Sequence, residues 1–272
     1  MIELRAELAQ VFAGEAAFDR ILALQGEIYR ELAGRRTLRW EQAGRGYFVK
    51  LHFGVGWTEI LKNLLTFRLP VLGAENEYRA IRRCDELGVK TMTIAGYGRR
   101  GWNPACQQSF LITDELVDVV SLEDVCRDWP ATPPQPRMKR ILIQEVAAIA
   151  RALHENGVNH RDFYLCHFLA CRASLMSDAP ELHLIDLHRV QLRRRVPRRW
   201  QVKDLGGLLF STFDIGLTKR DWLRFLRAYR CQSLRSILTA DRDLLHEILS
   251  RAMQIYRRDF GKDPLLPRGI HA

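Results

Sequence analysis

Residues 159 to 170 read NHRDFYLCHFLA. Within them His160, Arg161 and Asp162 open the pattern H-R-D-x-x-x-x-N, a phosphoryl-transfer loop in which the Asp is the base and the Asn holds a metal ion. The fifth residue after Asp162 is His167, where the pattern has Asn. Further along, Asp186 ends an apolar stretch and opens DLH, where the metal-binding D-F-G triplet would stand. Lys50 ends YFVK in a strand-like run, from which its ammonium can reach nucleotide phosphates if an acidic side chain holds it. Glu77, on the following helical segment, is the candidate partner. Glu75 competes, but two residues away it lies on a different helix face. Asp204, in VKDLGGLL, suits a helix carboxylate that braces the loop. Each signal is weak alone, whereas the order and spacing together are specific. They assign Asp162 as base, Lys50 and Glu77 as the nucleotide-orienting pair, and Asp186 as the Mg²⁺ ligand. Mg²⁺ prefers oxygen, so His167 is left with two roles. It is a weak second ligand, or it hydrogen-bonds a phosphate or Asp162 and sets the loop.

One part of such a site is missing. No G-x-G-x-x-G separates the first two strand-like runs, and the turn there is AGRR. Gly34 and Arg35 are the candidates to cover phosphates, since backbone N–H groups and Arg both bind them. An ordinary hairpin turn is the competing reading.

These residues need elements to position them. A helix-like segment runs to about residue 23. Three short strand-like runs follow, EIYREL, TLRWEQ and YFVKLHF, punctuated by glycine-containing turns as in a meander. TEILKNLLTF carries an apolar stripe at Ile60, Leu61, Leu64 and Leu65, and GAENEYRAIRRCDELGV reads as a second helix closed by Gly88. TMTIAGYG and SFLITDEL are two more strands. The breaker-rich DWPATPPQPR separates this mixed half from a mostly helical one. That half opens with a strong helix at Met138, Ile141, Leu142, Val146, Ile149 and Leu153, stopped at Asn156-Gly157. ELHLIDLHRVQL reads as a short strand carrying Asp186, and helical periodicity resumes from Val202 to about residue 260. The expected class is α+β, a two-lobed protein-kinase-like fold. Its small β-rich N-lobe spans residues 1–116 and its larger helical C-lobe residues 117–272.

Composition bounds the setting. The chain of 272 residues is 47% hydrophobic, ordinary for a globular protein. Its first 18 residues carry charge early and lack an unbroken apolar run, so no secretory signal and no spanning helix is expected. The six cysteines include no C-x-x-C pair and read as reduced thiols. Cys166, His167, Cys171 and His160 fit no common zinc spacing. These features point to a cytoplasmic protein. The net charge is +10, and 35 of the 42 basic residues are Arg. Arg forks onto phosphate and carboxylate as Lys cannot, although GC-rich codon usage also favours it. The clustered run RRRVPRRW, residues 193 to 200, is more informative than the bulk count.

The chain resembles the lipopolysaccharide core heptose(I) kinases of Gram-negative bacteria over nearly its whole length. The stretches that carry the resemblance include LQGEIYRELAGRRTLRWE, YFVKLH, PVLGAENEYRAI, NHRDFYLCHFL, IDLHRVQLRRRVPRRW, KDLGGL and IGLTKRDWLRF. In that family His at the Asn position and D-L-H in place of D-F-G are normal. The resemblance implies ATP-dependent phosphorylation of a heptose hydroxyl in the lipopolysaccharide inner core, at the cytoplasmic face of the inner membrane. It implies that Lys50 and Glu77 orient ATP, that Asp162 is the base and that Asp186 holds the metal. Arg193, Arg194, Arg195, Arg198 and Arg199 occupy the region where kinases keep an activation or substrate segment. Clustered there, they would attract an acceptor rich in carboxylates and phosphates on an anionic membrane. A solvated basic loop is the plain alternative. LKNLLTFRLPVL could rest on acyl chains, although a core helix is the simpler reading. Acyl carrier protein is an acidic partner that the family suggests, and no nucleic acid is expected.

Two other functions compete. A protein kinase acting on Ser, Thr or Tyr is disfavoured because no A-P-E motif follows Asp186. A basic binding module on an inactive kinase fold is disfavoured because Lys50, Asp162 and Asp186 are all retained.

Overall fold

The computed structural model describes residues 1–32, 34–54, 56–57, 73–103 and 105–267. The expected helix TEILKNLLTF and the apolar segment LKNLLTFRLPVL lie outside the described residues. The chain divides into two units. The first comprises Met1–Arg83, Met92–Leu116 and Leu187–Arg189, the second Cys84–Thr91, Val117–Asp186 and Val190–Ala272.

Alternation builds the first unit. In β4 (Arg45–His52), Tyr47, Val49 and Leu51 are buried on one side, and Lys50 stands on the other. Strands β1 (Ile2–Leu4), β2 (Glu27–Leu32), β3 (Arg35–Gln42), β5 (Ile94–Arg100) and β6 (Gln108–Asp114) complete an antiparallel sheet ordered β1-β5-β6-β4-β3-β2. Helices α1 (Ala6–Val11) and α2 (Ala17–Leu22) cover one face. Leu8, Phe12, Phe18 and Ile21 pack there on Leu38, Val49, Leu51, Phe110 and Ile112. Burying such side chains contributes about 1.5–3 kcal/mol each. The helix expected up to residue 23 is thus a strand and two short helices. It is interrupted at Gly14, whose φ of +95° suits no helix. Arg35, expected in the turn, instead opens β3 and pairs with Leu32 of β2 and His52 of β4.

The second face of the sheet carries Lys50. Register places Lys50 opposite Leu111, and Leu111 opposite Tyr97, so the three residues form a row across β4, β6 and β5. Helix α3 (Glu75–Glu86) meets that row. Its Tyr78 stacks on Tyr97 with ring centroids 4.0 Å apart.

The second unit is mainly helical but also holds five short strands, more than the sequence suggests. Strands β7 (Val119–Ser121), β9 (Phe168–Cys171) and β10 (Leu182–Leu184) form one sheet, while β8 (Val158–Asn159) pairs with β11 (Gln191–Leu192). After the short α4 (Leu122–Cys126), helix α5 (Pro136–Glu155) packs with α7 (Lys219–Arg230). Helix α6 (Arg198–Phe210) packs with α9 (Arg242–Phe260), and α8 (Leu234–Ala240) joins α7 to α9. Helix α6 starts four residues earlier than the periodicity suggests, because Pro197 supplies an extended cap. Arg198 and Arg199 therefore lie on a helix, whereas Arg193, Arg194 and Arg195 precede it.

Candidate active site

In the first unit, Lys50 Nζ lies 2.6 Å from Glu77 Oε1. The Glu77 side chain is 4% exposed and the Lys50 side chain 27%. A buried carboxylate is costly without a partner, so the pair fixes both groups. The competitor Glu75 turns away and pairs with Arg99. Gly34, with φ +79°, accepts a hydrogen bond from the Phe53 N–H through its carbonyl at 2.8 Å. Arg35 opens β3 beside it.

In the second unit the loop after α5 is held by one carboxylate. Asp204, fully buried on α6, accepts the backbone N–H of His160 at 2.6 Å and of Arg161 at 2.7 Å. Charge-assisted bonds of this kind are roughly twice as strong as neutral ones. His154 also approaches Asp204, at 3.4 Å, while its Nδ1 meets the Tyr229 hydroxyl at 2.8 Å. Gly207 of KDLGGL lets loop and helix meet. A Cβ at Gly207 would lie 3.1 Å from the Tyr164 ring and 3.3 Å from the Phe163 carbonyl. Phe163 is buried and packs edge-on against Phe168 at 5.0 Å.

The same loop is laced to the segment bearing Asp186. The buried imidazole of His160 donates from Nε2 to the Ile185 carbonyl at 3.0 Å, and the Ile185 N–H donates to the His167 carbonyl at 2.9 Å. Burial pushes the His160 pKa down, so this ring stays neutral. Arg161 and Asp186 both adopt left-handed backbone, with φ of +77° and +63°. Non-glycine residues rarely do so, and such strain clusters at functional sites.

His167 bridges the two segments. Its Nδ1–H donates to the Asp162 carbonyl at 2.6 Å, which turns Nε2 toward Asp186 Oδ2 at 3.6 Å. Burial disfavours charge on this ring, yet the Cys166 side chain, the Asp162 carbonyl and Asp186 outweigh it and raise its pKa to about 9. A carboxylate and an imidazole facing one another suit Mg²⁺ only in part, because that ion prefers oxygen to an imidazole nitrogen. Mg²⁺ commonly takes one or two carboxylates and completes its shell with water and phosphate oxygens. Asp186 fits that demand better than His167.

The arginines of the basic run diverge. Arg198 pairs with Glu247 at 2.8 Å. Arg194 and Arg195 line a polar pocket of about 530 Å³ with Arg151, Glu155 and Arg230. Arg193 hydrogen-bonds Asn159 and Gln191 and, like Arg199, lies beside the Trp200 ring. Sequence reasoning missed Trp200, Lys203 and the side chain of Arg161. Only the tryptophan within an arginine run hinted at them.

A lysine on a sheet held by a helix glutamate, a braced H-R-D loop and a following Asp are features that phosphotransferases of the kinase kind share. The model of the lipopolysaccharide kinase (Kdo/WaaP) family matches residues 19–229, and this chain belongs to that family. It is 52% identical over 250 residues to the lipopolysaccharide core heptose(I) kinase WaaP of Pseudomonas aeruginosa, covering 92% of this chain and 93% of that one. It is 47% identical over 259 residues to the enzyme of the same name from Escherichia coli K12, covering 95% and 98%. A solved structure of WaaP in complex with acyl carrier protein has a TM-score of 0.82 at 46% identity, covering 94% of this chain and 99% of that one. Membership in a kinase family implies ATP as phosphoryl donor.

Proposed function

We propose that this protein transfers the γ-phosphoryl group of ATP to a heptose hydroxyl of the lipopolysaccharide inner core. The observation that carries the reading is its likeness, over almost the full length of both chains, to relatives named as core heptose(I) kinases. The local geometry supports it. Lys50, fixed by Glu77, contributes a positive charge to ATP phosphates. Gly34 and Arg35 cover the nucleotide from the β2–β3 turn. Asp162 orients the sugar hydroxyl and takes its proton, and Asp204 holds the backbone of that loop in place. Mg²⁺, when bound, would neutralise phosphate charge, and Asp186 would hold it. His167 acts chiefly through its bond to the Asp162 carbonyl. Of the basic run, Arg193 and Arg199 bind the anionic acceptor, Arg194 and Arg195 add positive potential, and Arg198 is already paired with Glu247.

The acceptor places the protein in the cytoplasm, at the inner-membrane face. No helix among the described residues is long and apolar enough to cross a membrane, so attachment would be peripheral and electrostatic. Acyl carrier protein is a proposed partner, because a similar structure contains it and an acidic protein suits a chain of charge +10.

Mass spectrometry of core oligosaccharide from cells with and without this protein tests the acceptor. One phosphate should be lost in its absence, and an unchanged core would refute the reading. With purified protein, Asp162→Ala should reduce transfer at least about 10²-fold while ATP still binds. Lys50→Ala should instead weaken use of ATP. Full turnover by either variant would remove that residue from the mechanism.

A further inference from the structure

Four cations converge on one indole in the second unit. The guanidinium carbons of Arg161, Arg199 and Arg193 lie 5.2, 5.3 and 5.7 Å from the Trp200 ring centroid, and Lys203 Nζ lies 5.6 Å from it. Three separate segments bring them together. Arg161 belongs to the H-R-D loop. Arg193 follows β11, and its N–H donates to the Gly157 carbonyl at 2.9 Å. Arg199 and Lys203 are one turn apart on α6, with Trp200 between them.

Helix α6 grips Arg161 twice. Asp204 takes its backbone N–H, and Trp200, one turn earlier on the helix, carries its guanidinium. The cluster is thus built onto the residue next to Asp162.

Cation–π attraction contributes about 0.5–2 kcal/mol per contact and cannot neutralise like charges gathered around one ring. Elsewhere in this chain arginines meet carboxylates, as Arg198 does with Glu247 and Arg224 with Asp221. Arg193 bonds only neutral amide oxygens, and Arg199 has no carboxylate partner among the described residues. The indole Nε1–H of Trp200 is shielded from solvent and also lacks a hydrogen-bond partner among them. An indole N–H can only donate. An oxyanion would balance the guanidinium charges of Arg193 and Arg199 and accept from this donor.

We propose that Arg193 and Arg199, ordered on Trp200 beside Arg161 and Lys203, bind a carboxylate or phosphate group of the acceptor near the hydroxyl that Asp162 serves. The inference rests on the acceptor proposed above. It makes Trp200 the platform of a substrate site and assigns the cluster to the acceptor instead of ATP.

Steady-state kinetics of the full-length protein test it, with ATP and lipid-free core oligosaccharide. Arg199 is exposed, so Arg199→Ala should fold normally, with an unchanged melting temperature. It should raise the acceptor KM about tenfold, the scale of one charge-assisted hydrogen bond. The KM for ATP should stay within about twofold on that scale. Trp200→Leu should act in the same direction, and Arg199→Lys should recover part of the loss. Two altered acceptors identify the anion, one with carboxylates reduced to alcohols and one with phosphates removed. On the acceptor lacking the recognised group, wild type and Arg199→Ala should have equal KM. An unchanged acceptor KM, or an equal penalty on both altered acceptors, would overturn the inference. So would a matching rise in the KM for ATP. A wild-type protein that phosphorylates none of these acceptors would instead overturn the proposed function, and the inference with it.

Discussion

Both oxygens of Asp204 are committed to one stretch of backbone. They accept the N–H groups of His160 and Arg161 from a fully buried position. Removing the carboxylate leaves two donors without acceptors, at about 1–3 kcal/mol each. Asp204→Ala should therefore destabilise the protein by about 3–5 kcal/mol, as such losses of buried networks do. It should also depress kcat well below what the lower stability explains, because the carboxylate holds two successive N–H groups of the loop, one of them on the strained Arg161. Asp204→Asn keeps one acceptor oxygen and should fall between Ala and wild type. Urea titration and steady-state kinetics check the order, and an Ala variant as stable as wild type would refute it. Much at this scale was legible. Lys50, Glu77, Asp162, Asp186 and Asp204 stand out because residue type and order survive without tertiary information. The preference for Glu77 over Glu75 comes from sequence, and the sheet supplies its cause, since Tyr97 stacks on Tyr78 and helps set the rotation of α3. The Trp200 cluster was not legible, because its cations come from segments whose approach depends on the β8–β11 pairing.

At the scale of elements, Gly157 is where α5, β8 and β11 meet. Its φ is +74°, and a Cβ there would lie 1.8 Å from the Arg193 carbonyl oxygen. No side-chain rotation relieves a clash with backbone, so Gly157→Ala must displace β11 and the arginines after it. Gly88 ends α3 with a similar φ of +68°, but a Cβ there meets nothing within 4 Å. Gly88→Ala should cost only the conformational strain, about 1 kcal/mol. Gly157→Ala should cost at least about 2 kcal/mol more, since backbone overlap adds to that strain. It should also raise the acceptor KM. Chemical denaturation of the two variants checks this, and equal losses would mean that the β8–β11 approach is looser than it looks. The sequence marked Asn156-Gly157 as a helix stop but could not show why no other residue fits. It also hid β1. Three residues paired with β5 some ninety positions away leave no periodic trace.

At the scale of the whole molecule, both units carry ion pairs, yet a net charge of +10 remains. In the first unit Arg5 meets Asp114, Arg36 meets Glu31, Arg39 meets Glu115 and Arg100 meets Asp19. Such exposed pairs add little stability, typically below about 1 kcal/mol, but they cancel charge. In the second unit Arg194 and Arg195 line a pocket with two further arginines and a single glutamate. Excess positive charge on this unit would draw the protein to an anionic lipid surface, at about 1 kcal/mol per basic residue near it. That attraction is screened as the Debye length falls from about 10 Å at 0.1 M salt to about 3 Å at 1 M. Co-sedimentation with vesicles containing about 30% anionic lipid should thus be strong at low salt and lost by about 0.5 M NaCl. Vesicles of zwitterionic lipid alone should not bind. Replacing Arg194 and Arg195 by Ala should weaken binding at low salt without altering it at high salt, because only screened charge is removed. Binding that persists at high salt would instead indicate apolar insertion at the interface.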